Sequence, residues 1–213
     1  MNKPIRVLIA DDHAIVRQGL RQILSDTPDM LVAGEAENGV QALQMVRQGG
    51  WDVVLMDITM PERNGIDTLK LLKKEFPKLP VLILSMHPEE HYAIRALKAG
   101  ASGYLTKQSA PDQLVTAIRQ VAGGKKYVSA AVAEELANAI GEDSDKEPHE
   151  KLSDREYQTL CMIASGKALS QIAEELNLSV KTVSVYRARL LEKMRLKNNA
   201  ELTHYGLKHG LVE

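Results

Sequence analysis

Asp11 and Asp12 in succession, Asp57, Ser85 and Lys107 each stand at the end of a short apolar run of this sequence. If those runs are strands of one parallel sheet, their carboxyl ends meet along a single edge and the five polar groups converge. Three carboxylates gathered there repel one another and raise at least one pKa, unless a hard divalent cation such as Mg²⁺ (or Mn²⁺) sits among them. With that charge balanced, the Asp57 carboxylate can attack a phosphoryl donor. Lys107 can then pair with the transferred group and the Ser85 hydroxyl can donate to one of its oxygens, leaving an aspartyl phosphate. Each residue alone has a plainer use: Asp12 could cap a helix and Lys107 could be one more solvated charge. Their joint position at successive strand ends favours the site.

The elements that must hold these groups are legible from periodicity. IRVLIA, MLVAGEA, DVVLMD, PVLILS and SGYLTK read as five strands within the first 125 residues, with five helix-like segments between them. From His13 to Leu24 the apolar stripe is Val16, Leu20, Ile23 and Leu24, and after Pro111 it is Leu114, Ala117, Ile118 and Val121. Uniformly apolar strands alternating with helices predict a doubly wound α/β fold, a parallel sheet covered on both faces. A helical stretch around 130–140 leads into GEDSDKEPHE, residues 141–150, which is charged, contains Pro148 and reads as a flexible linker. From Lys151 onward only short helices are expected, the first opened by Ser153 as N-cap with Glu156 as its capping-box partner. The expected domains are therefore residues 1–125, a connecting extension and linker over 126–150, and a small all-α domain over 151–213.

Composition is that of an ordinary globular protein, 44% hydrophobic and 26% charged. No apolar run approaches the ~20 residues needed to cross a bilayer, and MNKPIRVLIADD is too short and too soon acidic for a secretion signal. A cytoplasmic location without membrane attachment is expected. The single cysteine, Cys161, lies on an apolar stripe with Tyr157, Leu160 and Ala164, which suits a packed thiol better than a nucleophile. A net charge of −1 conceals an asymmetry: residues 151–213 carry 10 basic against 7 acidic side chains, so only this end invites an anionic partner.

IADD at 9–12, VLMDITMP at 54–61, LILSMH at 82–87 and GYLTK at 103–107 together resemble the receiver domain of response regulators. The resemblance implies a flavodoxin-like fold with Asp57 as phosphoacceptor. It implies Mg²⁺ held by Asp12, Asp57 and the Thr59 main-chain carbonyl, with Asp11 acting through water. Ser85 and Tyr104 would be the switch pair: an added phosphoryl draws the Ser85 hydroxyl inward and leaves space that the Tyr104 ring fills. Thr59 and His87 would influence the lifetime of the phosphoryl group.

In the C-terminal part, SQIAEELNLSVKTVSVYRARLLEKM reads as a helix, a short turn at Asn177-Leu178-Ser179 and a longer helix capped by Ser179. On the longer helix Val183, Tyr186, Leu190 and Met194 should face the core, while Lys181, Ser184, Val185 and Ala188 project the other way. A face of small residues flanked by cations suits the major groove of DNA. Residues 152–202 resemble the LuxR-type DNA-binding domain, through Arg155-Glu156, Gly166, Ile172-Ala173, Leu176, Ser179, Thr182-Val183 and Lys193. By that resemblance Ser184, Val185 and Ala188 would read bases, and Lys181, Thr182, Arg187, Arg189 and Lys193 would meet the backbone. Tyr186 stands where relatives often have histidine, and Ala188 where some have a basic residue, so the preferred DNA sequence does not carry over.

The two halves together resemble the NarL/FixJ family of response regulators. Membership implies a sensor histidine kinase as phosphoryl source, double-stranded promoter DNA as target, RNA polymerase as a further partner and a homodimer formed on phosphorylation. An enzyme of the haloacid-dehalogenase phosphatase type is the rival reading of the same aspartate and cation, but it needs an acid two residues beyond the nucleophile, where this chain has Thr59. A phosphorylation-independent DNA binder is the third reading, and the intact set Asp12, Asp57, Ser85 and Lys107 speaks against it.

Overall fold

The structure, a computed structural model, describes residues 3–86, 89–130, 132–134 and 147–212. It divides into two compact units, Met1–Ala137 and Asn138–Glu213. In the first, strands and helices alternate: β1 (Ile5–Ala10), α1 (Ala14–Ser25), β2 (Met30–Ala36), α2 (Gly39–Gln48), β3 (Val53–Asp57), α3 (Gly65–Glu75), β4 (Val81–Ser85), α4 (Glu89–Lys98), β5 (Gly103–Thr106) and α5 (Pro111–Ala122). The five predicted strands form within a residue at either end.

All strand pairs are parallel, in the order β2-β1-β3-β4-β5. β3 and β4 are buried at every position, because both faces of the sheet are covered. Alternate side chains point to opposite faces. Val7, Ile9, Val53, Leu55, Leu82 and Leu84 join Leu24 of α1 and Leu114, Ile118 and Val121 of α5 in one apolar cluster. Leu8, Val54, Met56 and Ile83 are buried on the other face. The outer edge of β5 is covered by the chain that follows α5: the Tyr127 N–H donates to the Ser102 carbonyl at 2.9 Å. An otherwise open strand edge is thereby satisfied.

This order reverses direction at β1, which lies between β2 and β3. At such a switch point the loops leaving two neighbouring strands diverge and open a crevice beyond their carboxyl ends. The loops in question begin at Asp11 and at Asp57. The fold therefore decides where the acidic residues must meet.

Among the described residues the second unit opens with a 3-10 turn, Pro148–Lys151, followed by α6 (Asp154–Ala164), α7 (Leu169–Glu175), α8 (Val180–Met194) and α9 (Asn199–Lys208). Ser153 and Glu156 form the expected capping box and Ser179 caps α8. The turn between α7 and α8 needs one left-handed residue, Asn177 at φ 51°, a conformation asparagine tolerates better than most residues. Tyr157, Leu160, Cys161 and Ala164 are buried as their spacing requires.

One expectation changes. The stretch read as a linker over 141–150 does not run unstructured to its end: Pro148, His149 and Glu150 lie in the 3-10 turn, because the His149 ring is held 2.9 Å from the Tyr205 hydroxyl and Leu152 is buried just beyond. Residues 141–146 lie outside the described residues. Of the helix expected around 130–140, residues 130 and 132–134 are helical and the rest lies outside the described residues.

Candidate functional site

At the crevice, Asp57 ends β3 and Asp11 follows β1, both almost completely buried. Lys107 follows β5 and reaches across, its Nζ 2.8 Å from Asp57 Oδ2 and 2.7 Å from Asp11 Oδ2. Its side chain is 5% exposed, so the ammonium is a buried counter-ion bridging two carboxylates. Lys107 is itself anchored by its backbone N–H, which donates to the Ser85 carbonyl at 2.8 Å.

The charges shape one another. Burial raises the Asp57 pKa, the Asp11 carboxylate adds to the effect, and Lys107 and the Thr59 backbone N–H oppose it; the outcome is about 6. For Lys107, burial pulls the pKa down but the Asp57 and Asp11 carboxylates outweigh it, so the ammonium is held above its ordinary range.

Asp12, Asp11, Asp57 and His13 each bring a ligand atom within 4.8 Å of the others. Asp12 Oδ1 is shut off from solvent without a hydrogen bond, although His13 Nδ1 lies 2.8 Å away. With only the His13 imidazole beside it, this buried carboxylate oxygen gains from a cation, and the three carboxylates fit a hard divalent ion. The capping role weighed for Asp12 is not taken up: the N-cap of α1 is His13, with no side-chain cap bond.

Three supports escaped the sequence reading. Arg17 is buried on α1, where its Nη1 donates to the Asp11 carbonyl at 2.7 Å and its remaining nitrogens meet Glu35 and Glu37. A cation in the midst of an apolar stripe, between Val16 and Leu20, is the signal that could have marked it. Gly65 is the second: an added Cβ would fall 1.9 Å from the Asp57 carbonyl oxygen. Asn64-Gly65 reads as a turn, but nothing local tells which backbone passes against it. His13 is the third, its backbone N–H donating to Asp11 Oδ1 at 2.8 Å.

Ser85 and Tyr104 lie on the same face of adjacent strands, since Ile83 pairs with Tyr104 and Ser85 with Thr106. Both are buried, Ser85 at 0% and Tyr104 at 1% exposure. The ring expected to enter the fold on phosphorylation is thus already inside it. Thr59 is half-buried in the loop beyond Asp57. His87 lies outside the described residues.

In the second unit, Val183, Leu190 and Met194 of α8 are buried and Lys181, Val185, Ala188 and Arg189 are exposed, with Thr182, Ser184 and Arg187 half-buried. Two cations assigned to flank this face are engaged within the unit. Arg187 Nε donates to Asn199 Oδ1 at 2.5 Å. Lys193 Nζ lies 2.6 Å from Glu156 Oε2, the carboxylate that also accepts from the Ser153 N–H in the capping box. Burial raises the Glu156 pKa, but the Lys193 and Ser153 hydrogen bonds outweigh it and hold the carboxyl below its ordinary range.

Among the described residues no helix is long and apolar enough to cross a membrane. Residues 7–119 match the response regulator receiver domain and residues 150–206 match the bacterial regulatory proteins of the luxR family. The chain is 38% identical over 208 residues to the response regulator UvrY of Escherichia coli (strain K12), covering 97% of this chain and 95% of that protein. It is 36% identical over 210 residues to the response regulator GacA of Pseudomonas aeruginosa, covering 98% of each. Among solved structures it is similar to RcsB from Salmonella enterica serovar Typhimurium bound to promoter rprA in the presence of phosphomimetic BeF3−, with a TM-score of 0.63 and 27% identity over 95% of this chain and 98% of that one. A two-component response regulator of the LuxR family from Aurantimonas sp. SI85-9A1 matches at a TM-score of 0.59 and 35% identity, over 66% of this chain and all of that one.

Proposed function

This chain belongs to the NarL/FixJ family of response regulators, and on that premise we propose that a phosphoryl group accepted on Asp57 from a sensor histidine kinase governs its regulation of transcription. The observation that carries the reading is the bridge from Lys107 to Asp57 and Asp11, at 2.8 and 2.7 Å, in the crevice where the sheet reverses.

Asp11, Asp12, Asp57 and the Thr59 main-chain carbonyl would hold Mg²⁺ or Mn²⁺, which supplies charge neutralisation for the incoming phosphoryl oxygens. Asp57 must be ionised to act, and its pKa of about 6 leaves it mostly ionised at neutral pH. A carboxylate oxygen attacks phosphorus as the bond to the donor imidazole breaks, and the imidazole departs with the electron pair of that bond. Lys107 exchanges a carboxylate partner for a phosphoryl oxygen, keeping an anionic neighbour throughout. The Ser85 hydroxyl donates to another of those oxygens, and with Tyr104 inside the fold the β4–β5 face is held in one arrangement.

The response is DNA binding. Residues 1–125 act as receiver, 126–150 as extension and linker, with the stretch from Pro148 packed into the output unit, and 151–213 as the DNA-binding part. Ser184, Val185 and Ala188 read base edges; Lys181, Thr182 and Arg189 meet phosphates, while Arg187 and Lys193 do so only by leaving Asn199 and Glu156. Two copies, brought together by receiver phosphorylation in the cytoplasm, engage paired half-sites of promoter DNA and from there reach RNA polymerase.

Treating the protein and Asp57→Ala with a small phosphodonor and Mg²⁺ tests this. Intact mass and binding to a pool of random duplexes are read in the same samples. Wild type alone should gain one phosphoryl and select a common sequence more tightly. Equal DNA binding by two unmodified proteins would instead make the receiver a mere dimerisation module. In the same assay Lys181→Ala should weaken binding to every duplex alike and lower the salt slope by about one, as loss of one phosphate contact requires. A change confined to one sequence would reassign Lys181 to base reading.

A further inference from the structure

Away from the acidic crevice, a second group of metal-binding side chains meets within the C-terminal unit. Glu147, His149 and His209 each bring a ligand atom within 4.8 Å of the other two. Glu147 and His149 belong to the turn that opens the unit, and His209 is the C-cap of α9 at its far end. Only folding brings them together.

The group is supported from one side by Tyr205. Its hydroxyl lies 2.9 Å from His149 Nδ1 and donates to Glu147 Oε2 at 3.4 Å. Its ring stacks on His209 with centroids 4.1 Å apart and planes at 22°. Supporting hydrogen bonds of this kind fix the orientation of metal-binding imidazoles. The His209 side chain is 23% and that of Glu147 50% exposed, so an ion can arrive from solvent.

We propose that Glu147, His149 and His209 form a binding site for a borderline divalent transition-metal ion of the Zn²⁺ class, separate from the acidic crevice. Two imidazoles and one carboxylate are a donor set that Zn²⁺ accepts and Mg²⁺ does not favour, and with three protein ligands a tetrahedral ion keeps one position for water. Bound there, the ion fastens the turn before α6 to the end of α9. Because the unfolded chain has no such preformed site, occupancy stabilises the folded unit. The site does not depend on how the receiver works.

The test is calorimetric titration of the full chain with Zn²⁺ in excess Mg²⁺, alongside His149→Ala, His209→Ala and the exposed-residue variant Glu147→Gln, with thermal melting under chelator to show that each folds. Asp12→Asn is included because zinc could otherwise enter the acidic crevice. Wild type and Asp12→Asn should take up one ion at this site and melt higher with zinc than with chelator. The other three variants each remove a ligand and should bind at least roughly tenfold more weakly, since loss of an outer partner alone costs about that much. The proposal is overturned if wild type binds no zinc, if the histidine and Glu147 variants bind it as wild type does, or if only Asp12→Asn loses it.

Discussion

Lys107→Met is expected to lower the stability of the receiver unit by about 3 kcal/mol near neutral pH without divalent cation, since it strands two buried carboxylates that shared one counter-ion. Methionine keeps most of the side-chain volume, so the effect is one of charge. In the wild type the folded pKa of Asp57 is raised to about 6, above the ordinary ~3.9 of an aspartate. Between those values the folded state holds a proton that the unfolded state has released. Its contribution is therefore fully present below about pH 4, is lost as pH rises to about 6 and is flat beyond.

Without Lys107 the main opposing influence is gone, so the Asp57 pKa rises further and the loss continues above pH 6. Urea unfolding of both proteins across this range should show the gap widening with pH, and Mg²⁺ should restore more stability to the variant than to the wild type. Parallel curves at every pH would mean that the ammonium is not the counter-ion of the pair.

The second large effect is expected at Gly65, a residue with no chemistry of its own. A methyl group there would sit 1.9 Å from the Asp57 carbonyl oxygen, 2.8 Å from its carbon and 3.0 Å from the Ile58 Cα, all backbone atoms that cannot rotate aside. Gly65→Ala should therefore destabilise by roughly 3 kcal/mol. It should also slow phosphoryl uptake at least about tenfold, because small displacements of a reacting group are expensive in rate. Gly19→Ala is the matched control: it lies within α1 with nothing near its added Cβ and should stabilise by about 0.5–1 kcal/mol through helix propensity. Denaturant midpoints and phosphodonor mass shifts read both variants. Unchanged uptake in a folded Gly65→Ala protein would show that the loop beyond β3 tolerates displacement.

Much of the site was legible because the signals are local or repetitive. Asp11, Asp12, Asp57 and Lys107 were found from where apolar runs stop, and a strand end is written in the few residues around it. Ser153 with Glu156, and Ser179 before α8, were found because a cap joins residues three positions apart. The end of the linker is not legible, for the opposite reason. Pro148–Glu150 has the composition of a loop, and what orders it is Tyr205, more than fifty positions away.

The sequence by itself determined the kinds and order of the elements, because burial on both faces leaves uniformly apolar strands and packing on one side leaves a stripe at helical spacing. It also determined which residue types stand at the strand ends, and hence that an acidic, lysine-balanced crevice would form. Only the tertiary structure decided the partnerships: Lys107 between Asp11 and Asp57, Arg17 beneath the Asp11 carbonyl, Gly65 against the Asp57 backbone, Lys193 on Glu156. Each joins different elements of the fold. Which atoms meet there is set by strand order, register and helix packing, and the order of residues along a chain carries none of these distances.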